Sequence, residues 1–243
     1  MDQHGKRRSL VSPVLRALAF GVTLAGGAEA CPLALVLAQD VSSSVDEVEY
    51  ILQRDGLAAA LVSEDVQGAI LSGGGIALAV YEWSGRRQSR IVLDWTWLES
   101  PADIEAASVL ISGARRSFSR FPTAMGYALG FGAGLMQRAP DCDRQVIDLS
   151  GDGITNDGFW PQLAYKHFPF DGITVNGLAV LGADPDVVDH FQFEVLHGPG
   201  AFLETAQGYE GYERAMTRKL YREIETRVVG SIVPQQSTDA SQR

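Results

Sequence analysis

The sequence predicts an α/β doubly wound fold. Three observations carry this: unbroken apolar runs of strand length, helical patterns between them, and a turn of one carboxylate and three hydroxyls closing the first run. That first run, Leu33 to Ala38, leads into Asp40-Val41-Ser42-Ser43-Ser44 and then a helical pattern from Val45 to Val62. Ser72 to Gly75 is a turn before the second strand, Ile76 to Tyr81. The link Ser84 to Gln88 is short and the third run, Ser89 to Trp97, alternates, so these two strands form a hairpin and one edge strand runs antiparallel.

Helical patterns follow at Pro101 to Arg115 and Thr123 to Arg138, then a strand at Val146 to Leu149 and a helix at Phe159 to His167. A strand at Ile173 to Val180 and a last helix at Tyr209 to Val229 complete the series. Gly126, Gly130 and Gly134 recur every fourth residue, which predicts a smooth helix face lying close to the sheet. The Gly-Phe-Gly-Ala-Gly within that helix is no dinucleotide fingerprint, because such a motif sits at a strand-to-helix turn.

At 243 residues and 46% apolar content the chain can fill a core of ordinary domain size. Residues 1–30 read as an export signal: Lys6, Arg7 and Arg8, an apolar stretch from Val14 to Leu24, and Ala28-Glu29-Ala30 as the cleavage motif. The stretch is short for a spanning helix and contains Arg16. The expected organisation is therefore a signal at 1–30, one domain at 31–229 and a polar, disordered tail at 230–243, in a periplasmic or secreted protein. Arg7-Arg8 leaves both general and twin-arginine export open.

Losing residues 1–30 removes four basic and two acidic groups and takes the formal charge from −10 to −12. Such a surface repels nucleic acid, and no Lys/Arg cluster reverses it locally. The two cysteines, Cys31 and Cys142, invite a disulfide in an exported chain, with lipidation of Cys31 as the alternative.

Asp40-x-Ser42-x-Ser44 has an ordinary explanation in part: Ser44 caps the following helix and Glu47 reaches back to it as a capping box. That leaves Asp40 and Ser42 at the carboxyl end of a strand, where open α/β sheets place their ligand crevices. One anionic and two neutral oxygens suit Mg²⁺, which needs more oxygens than one turn supplies. Asp152, in Ser150-Gly151-Asp152-Gly153, ends another strand, and Thr123 opens a helix; taken singly, each also reads as a turn residue or an N-cap.

Together these residues resemble the metal-ion-dependent adhesion site of von Willebrand factor A domains. Several stretches further resemble an uncharacterised exported bacterial branch of that superfamily, a domain of unknown function: LALVLAQDVSSSVDEVEYILQRDG, IALAVYEWSG, VIDLSGDGITNDG, ITVNGLAVL and GPGAF. The resemblance covers Pro32 to Glu225 and implies a six-stranded, mostly parallel sheet of order 3-2-1-4-5-6 with helices on both faces. It implies metal ligation by Asp40, Ser42, Ser44, Thr123 and Asp152, with Mg²⁺ or Mn²⁺ as cofactor and an acidic side chain of a partner protein or peptide completing the shell. In that order the strands of Asp40 and Asp152 are parallel neighbours, which places Cys31 and Cys142 together at the other end.

The expected function is thus an exported, non-enzymatic binding module for adhesion or assembly, its negative surface favouring a basic surround on the partner. A metal-assisted hydrolase is the alternative, lacking a well-placed His or third carboxylate as base; a metal-free interaction domain is another. His167, His190 and His197 have no ligand-like spacing. Trp83, Trp95 and Trp97 read as packing, Trp160 as a possible border of the crevice, and Asp157 as a loop aspartate.

Overall fold

The computed structural model describes Met1 and residues 31–230. The expected export signal and polar tail lie outside these residues save for Met1 and Gly230. In chain order the elements are β1 (Ala34–Asp40), α1 (Glu47–Val62), α2 (Glu64–Ser72), β2 (Ile76–Trp83), β3 (Ser89–Leu98), α3 (Pro101–Ser112) and α4 (Met125–Met136). There follow β4 (Gln145–Gly151), α5 (Pro161–His167), β5 (Ile173–Leu181), α6 (Val187–His190) running into a π-helical turn at Phe191–Val195, β6 (Leu203–Gln207) and α7 (Tyr212–Gly230). The sheet has six strands in the order β3-β2-β1-β4-β5-β6, with β2 and β3 antiparallel and the remaining pairs parallel.

All seven residues of β1 are buried, which is why its sequence is continuously apolar up to its last two residues. Leu33, Leu35 and Leu37 pack on one face with Leu57, Leu61, Ile104 and Leu220 from α1, α3 and α7. Ala34, Val36 and Ala38 pack on the other with Met125, Leu129 and Phe191. Each face of the sheet thus has its own apolar core beneath its own helices.

Several boundaries differ from expectation for identifiable reasons. The cap of α1 is Asp46, not Ser44: its carboxylate accepts from the Glu49 amide at 2.9 Å, and Glu49 accepts from the Asp46 amide at 2.7 Å. The capping box is real but lies two residues later than Ser44 and Glu47, which releases the Ser44 hydroxyl for other work. α2 escapes sequence reading because extended Ser63 breaks the helical period after α1. β6 escapes it because a half-exposed edge strand, Leu-Glu-Thr-Ala-Gln, carries no apolar run.

The glycines of α4 serve a different neighbour from the one expected. A methyl on Gly126 would lie 2.1 Å from the Phe159 carbonyl oxygen, and one on Gly130 would lie 2.8 Å from the Phe168 ring, whereas Gly134 faces open space. The helix approaches the sheet at Gly132, where a methyl would meet Ile147 at 3.3 Å and the Tyr81 hydroxyl at 2.9 Å. Every-fourth-residue spacing therefore marks the face toward α5, and the sheet contact sits between those positions.

Asp148 interrupts β4 in mid-strand and is buried with Lys219 and Glu223 of α7. Lys219 bridges both carboxylates, holding Glu223 at 3.0 Å and pairing closely with Asp148. Asn176 of β5 donates to Glu223 at 2.7 Å and accepts the Phe202 amide at 2.9 Å, so the network ties β4, β5 and α7 together. Burial and the nearby Glu223 hold the Asp148 carboxyl well above the ordinary range. Removing the one cation strands two buried acids. Lys219→Met is expected to cost about 3–5 kcal/mol in denaturant unfolding.

Cys31 and Cys142 form a disulfide that closes a 111-residue separation just before β1 and β4. The amide of Asp143 donates to the Cys31 carbonyl at 2.8 Å, continuing the strand pairing to the bridge. The carboxylates lie one strand length away, roughly 20 Å at ~3.3 Å per residue. Replacing both cysteines by serine is therefore expected to lower stability by about 2–5 kcal/mol in denaturant unfolding, with the residues beyond the far strand ends undisturbed.

Candidate metal centre

β1 and β4 are hydrogen-bonded parallel neighbours whose register pairs Ala38 with Leu149 and Gln39 with Ser150. The next steps bring Asp40 and Asp152 together beyond the strand ends, both essentially without solvent exposure. Gly151 makes the approach possible: a methyl there would lie 2.9 Å from Asp40 Oδ2.

A chain of hydroxyls joins the two acids. The Ser42 amide donates to Asp40 Oδ1 at 2.7 Å, and Ser44 Oγ donates to Asp152 Oδ1 at 2.7 Å. Ser42 Oγ and Ser44 Oγ are 3.1 Å apart in a hydrogen bond, and Thr123 Oγ1 donates to Ser42 Oγ at 3.2 Å. All five residues singled out from the sequence thus converge. Thr123 is not an N-cap: α4 begins at Met125 after Ala124, and the Thr123 hydroxyl turns inward instead. Its backbone is locked to the Asp152 loop, donating to Asn156 Oδ1 at 2.9 Å and accepting the Asn156 amide at 3.0 Å.

The electrostatics are those of an uncompensated anionic hole. Asp40 Oδ2 and Asp152 Oδ2 are buried and have no hydrogen-bond partner among the described residues. Burial first, and the neighbouring Asp152 charge second, push the Asp40 carboxyl up to about 8, and burial also raises Asp152. Two converging carboxylates with unpartnered oxygens, ringed by three hydroxyls with free lone pairs, fit a hard divalent cation such as Mg²⁺ or Mn²⁺. Among the described residues no group of three or more His, Cys, Asp or Glu is placed to share a metal. An ion here would rely on two carboxylates and neutral oxygens.

Sequence reading missed the residues that hold this turn in place. Arg116 Nη2 donates to the carbonyls of Val41, Ser42 and Val45 at 3.2, 3.0 and 2.6 Å, and its Nε donates to the Phe118 carbonyl at 2.7 Å. Gln53 donates to the Asp40 carbonyl at 2.9 Å, and the Ser43 amide donates to the Phe121 carbonyl at 2.8 Å. The Tyr209 phenol is raised by burial and then by Asp152 and Asp40 charge, which places a buried hydroxyl near both acids. None of these has a sequence signal, because each acts from another element, mostly on backbone atoms.

Asp157 is more than a loop aspartate. Arg86 of the β2–β3 turn grips it at 2.7 and 3.0 Å, fastening that turn to the Asp152 loop. Trp160 is half exposed and packs 5.4 Å from His190, whose ring accepts the Thr155 amide at 3.2 Å. Trp83 is fully buried, whereas Trp97 is largely exposed on β3.

The sheet order and the helices on both faces are those of a von Willebrand factor A-type fold, with a carboxylate-hydroxyl turn at the strand ends. The chain belongs to the family described as protein of unknown function, DUF1194, whose profile matches residues 30–228. Among solved structures it is similar to proximal thread matrix protein 1 from the mussel byssus, at 17% identity and a TM-score of 0.59 over 79% of this chain and 47% of that one. A second form of that protein, described as having a zinc-occupied metal-ion-dependent adhesion site, aligns at 15% identity over 79% of this chain and 48% of the other, with a TM-score of 0.56. The von Willebrand factor type A protein of Catenulispora acidiphila aligns at 14% identity with a TM-score of 0.55, over 82% of this chain and 43% of its own. The PilB minor pilin of Streptococcus sanguinis aligns at 12% identity with a TM-score of 0.57, over 81% and 62%. This chain thus spans about half the length of the first structures it matches. No curated protein matches it, and no helix among the described residues is long and apolar enough to cross a membrane.

The raised carboxyls have a measurable consequence. A protonated Asp40 stabilises the folded, metal-free protein, a contribution complete below the ordinary value of 3.8 and lost as pH rises through about 8. Denaturant midpoints of chelator-treated protein should therefore fall across that window. Asp40→Asn should reduce the slope, and saturating Mg²⁺ should oppose it, because a bound cation favours the ionised form.

Proposed function

We propose that this protein is an exported, non-enzymatic binding module that captures a protein or peptide through a Mg²⁺ or Mn²⁺ ion. Asp40, Ser42, Ser44, Thr123 and Asp152 are the proposed ligands, the acids binding directly or through water. The observation that carries the reading is the pair of buried carboxylates whose outer oxygens have no partner, joined by a hydroxyl chain at a strand-end crevice. Such an arrangement is costly alone and becomes favourable once a cation neutralises it.

The ion supplies an electrophilic open position, and a partner carboxylate is the ligand best suited to complete it. The likeness to a byssus matrix protein and a minor pilin supports placement among adhesion or assembly modules, and the signal at 1–30 supports a periplasmic or secreted location. Among the described residues no third carboxylate or histidine joins the two acids in a metal-holding group.

Calorimetric titration of Mg²⁺ and Mn²⁺ into chelator-stripped residues 31–243 should show saturable one-site binding. Asp40→Ala and Asp152→Ala should each abolish it, and their melting temperatures should not fall, because each removes a buried uncompensated acid. Retained affinity in both variants would reject the proposed ligands.

A further inference from the structure

On an acidic chain, the basic residues are unevenly placed. Residues 83–93 and 106–137 contain no Asp or Glu, yet they carry Arg86, Arg87, Arg90, Arg115, Arg116 and Arg120. The fold brings these two stretches together beside the candidate centre. Ser84 Oγ donates to the Phe121 carbonyl at 3.2 Å, and the Ser84 carbonyl accepts the Ala124 amide at 3.1 Å. The second stretch is fastened to the Asp40 turn by Arg116 and by the Ser43–Phe121 hydrogen bond.

Two of the six arginines have structural partners: Arg86 holds Asp157, and Arg116 holds the backbone of the turn. Arg87, Arg90, Arg115 and Arg120 are exposed, and none has an ion-pair partner among the described residues. An open groove of about 370 Å³ is lined by Glu47, Tyr50, Arg54, Arg115, Arg116 and Phe118. The start of α1, on the Asp46 side of the turn, is acidic instead, with Asp46, Glu47 and Glu49. The rim is therefore bipolar. The arginine side departs from the expectation that no Lys/Arg cluster reverses the negative surface locally, because residues spread over two segments of sequence become neighbours only in the fold.

We infer that the β2–β3 turn and the α3–α4 loop form a second anion-binding surface, so that the partner presents an acidic segment rather than one isolated carboxylate. This rests on the ion-dependent reading above. One acidic side chain meets the ion, and its neighbours lie over Arg87, Arg115 and Arg120. Four exposed guanidiniums with no internal partner give bidentate donors to carboxylates and steer an acidic segment toward an otherwise repelling molecule.

The test uses residues 31–243 and fluorescein-labelled peptides of equal length, one with several aspartates and one with a single aspartate among glycine and serine. In Mg²⁺ the poly-acidic peptide should bind more tightly and with steeper salt dependence. The triple variant Arg87→Ser, Arg115→Ser, Arg120→Ser should lose about tenfold toward it, as three exposed charge pairs of ~0.5 kcal/mol imply. Its affinity for the single-aspartate peptide and for Mg²⁺ should stay unchanged, as should its melting temperature.

Equal affinity for both peptides, or indifference of the triple variant while Mg²⁺ still binds, overturns this inference and leaves the ion site standing. Arginine-dependent binding of the acidic peptide in chelator, with no Mg²⁺ heat, supports this inference and removes the ion reading. Arginine-dependent binding to phosphatidylserine vesicles without any peptide binding overturns it in favour of a lipid surface.

Discussion

Two carboxylates buried side by side at the ends of the two central strands are the constraint around which this domain is arranged. Like charges taken out of water repel and lose hydration at once. The chain keeps them there because β1 and β4 are parallel neighbours in near-equal register, and because Gly151 leaves room for the Asp40 side chain. Three hydroxyls, one arginine acting on backbone carbonyls and one glutamine then hold the turn in a single shape. Polar residues that would be liabilities in a core are in this way made consistent with a sheet whose first strand is apolar on both faces as far as Ala38.

The same fold contains a second buried acid cluster with the opposite solution. Asp148 and Glu223 share Lys219, and Asn176 donates to Glu223, so their charge is met from within the protein. Asp40 and Asp152 have no cation in direct contact; Arg116 lowers the Asp40 carboxyl only weakly, from its place on the turn's backbone. The contrast separates a network that fastens α7 to the sheet from a centre that waits for charge from outside. It is also the reason burial alone is a poor guide to function here, since both sets are equally hidden.

Much of this was legible in the sequence, for reasons that can be named. Asp40, Ser42 and Ser44 fall within one turn after an apolar strand, so local pattern and strand-end logic suffice to find them. Asp152 follows a second such strand. Thr123 is different: its hydroxyl reads as a helix cap, and only the resemblance to a known site assigned it inward. The cap of α1 was misplaced by two residues because Ser44 satisfies the local signature equally well but is drawn to Asp152 instead. Arg116, Gln53 and the arginine pair of loops were not visible, because their roles depend on which distant segments become neighbours. β6 and α2 were lost for a simpler reason, as neither carries a hydrophobic period long enough to stand out.

The disulfide gives the domain a mechanical grain. Cys31 stands at one end of β1 and the carboxylate turn at the other, so a pull between the crevice and Cys31 acts along the axis of β1. In that geometry β1 is loaded in shear, and its hydrogen bonds to β2 and β4 on either side must yield together rather than one after another. The bridge to Cys142 passes part of that load directly into β4, the strand that carries the other acid. Tension would thus be divided between the two strands that build the crevice before it reached any helix.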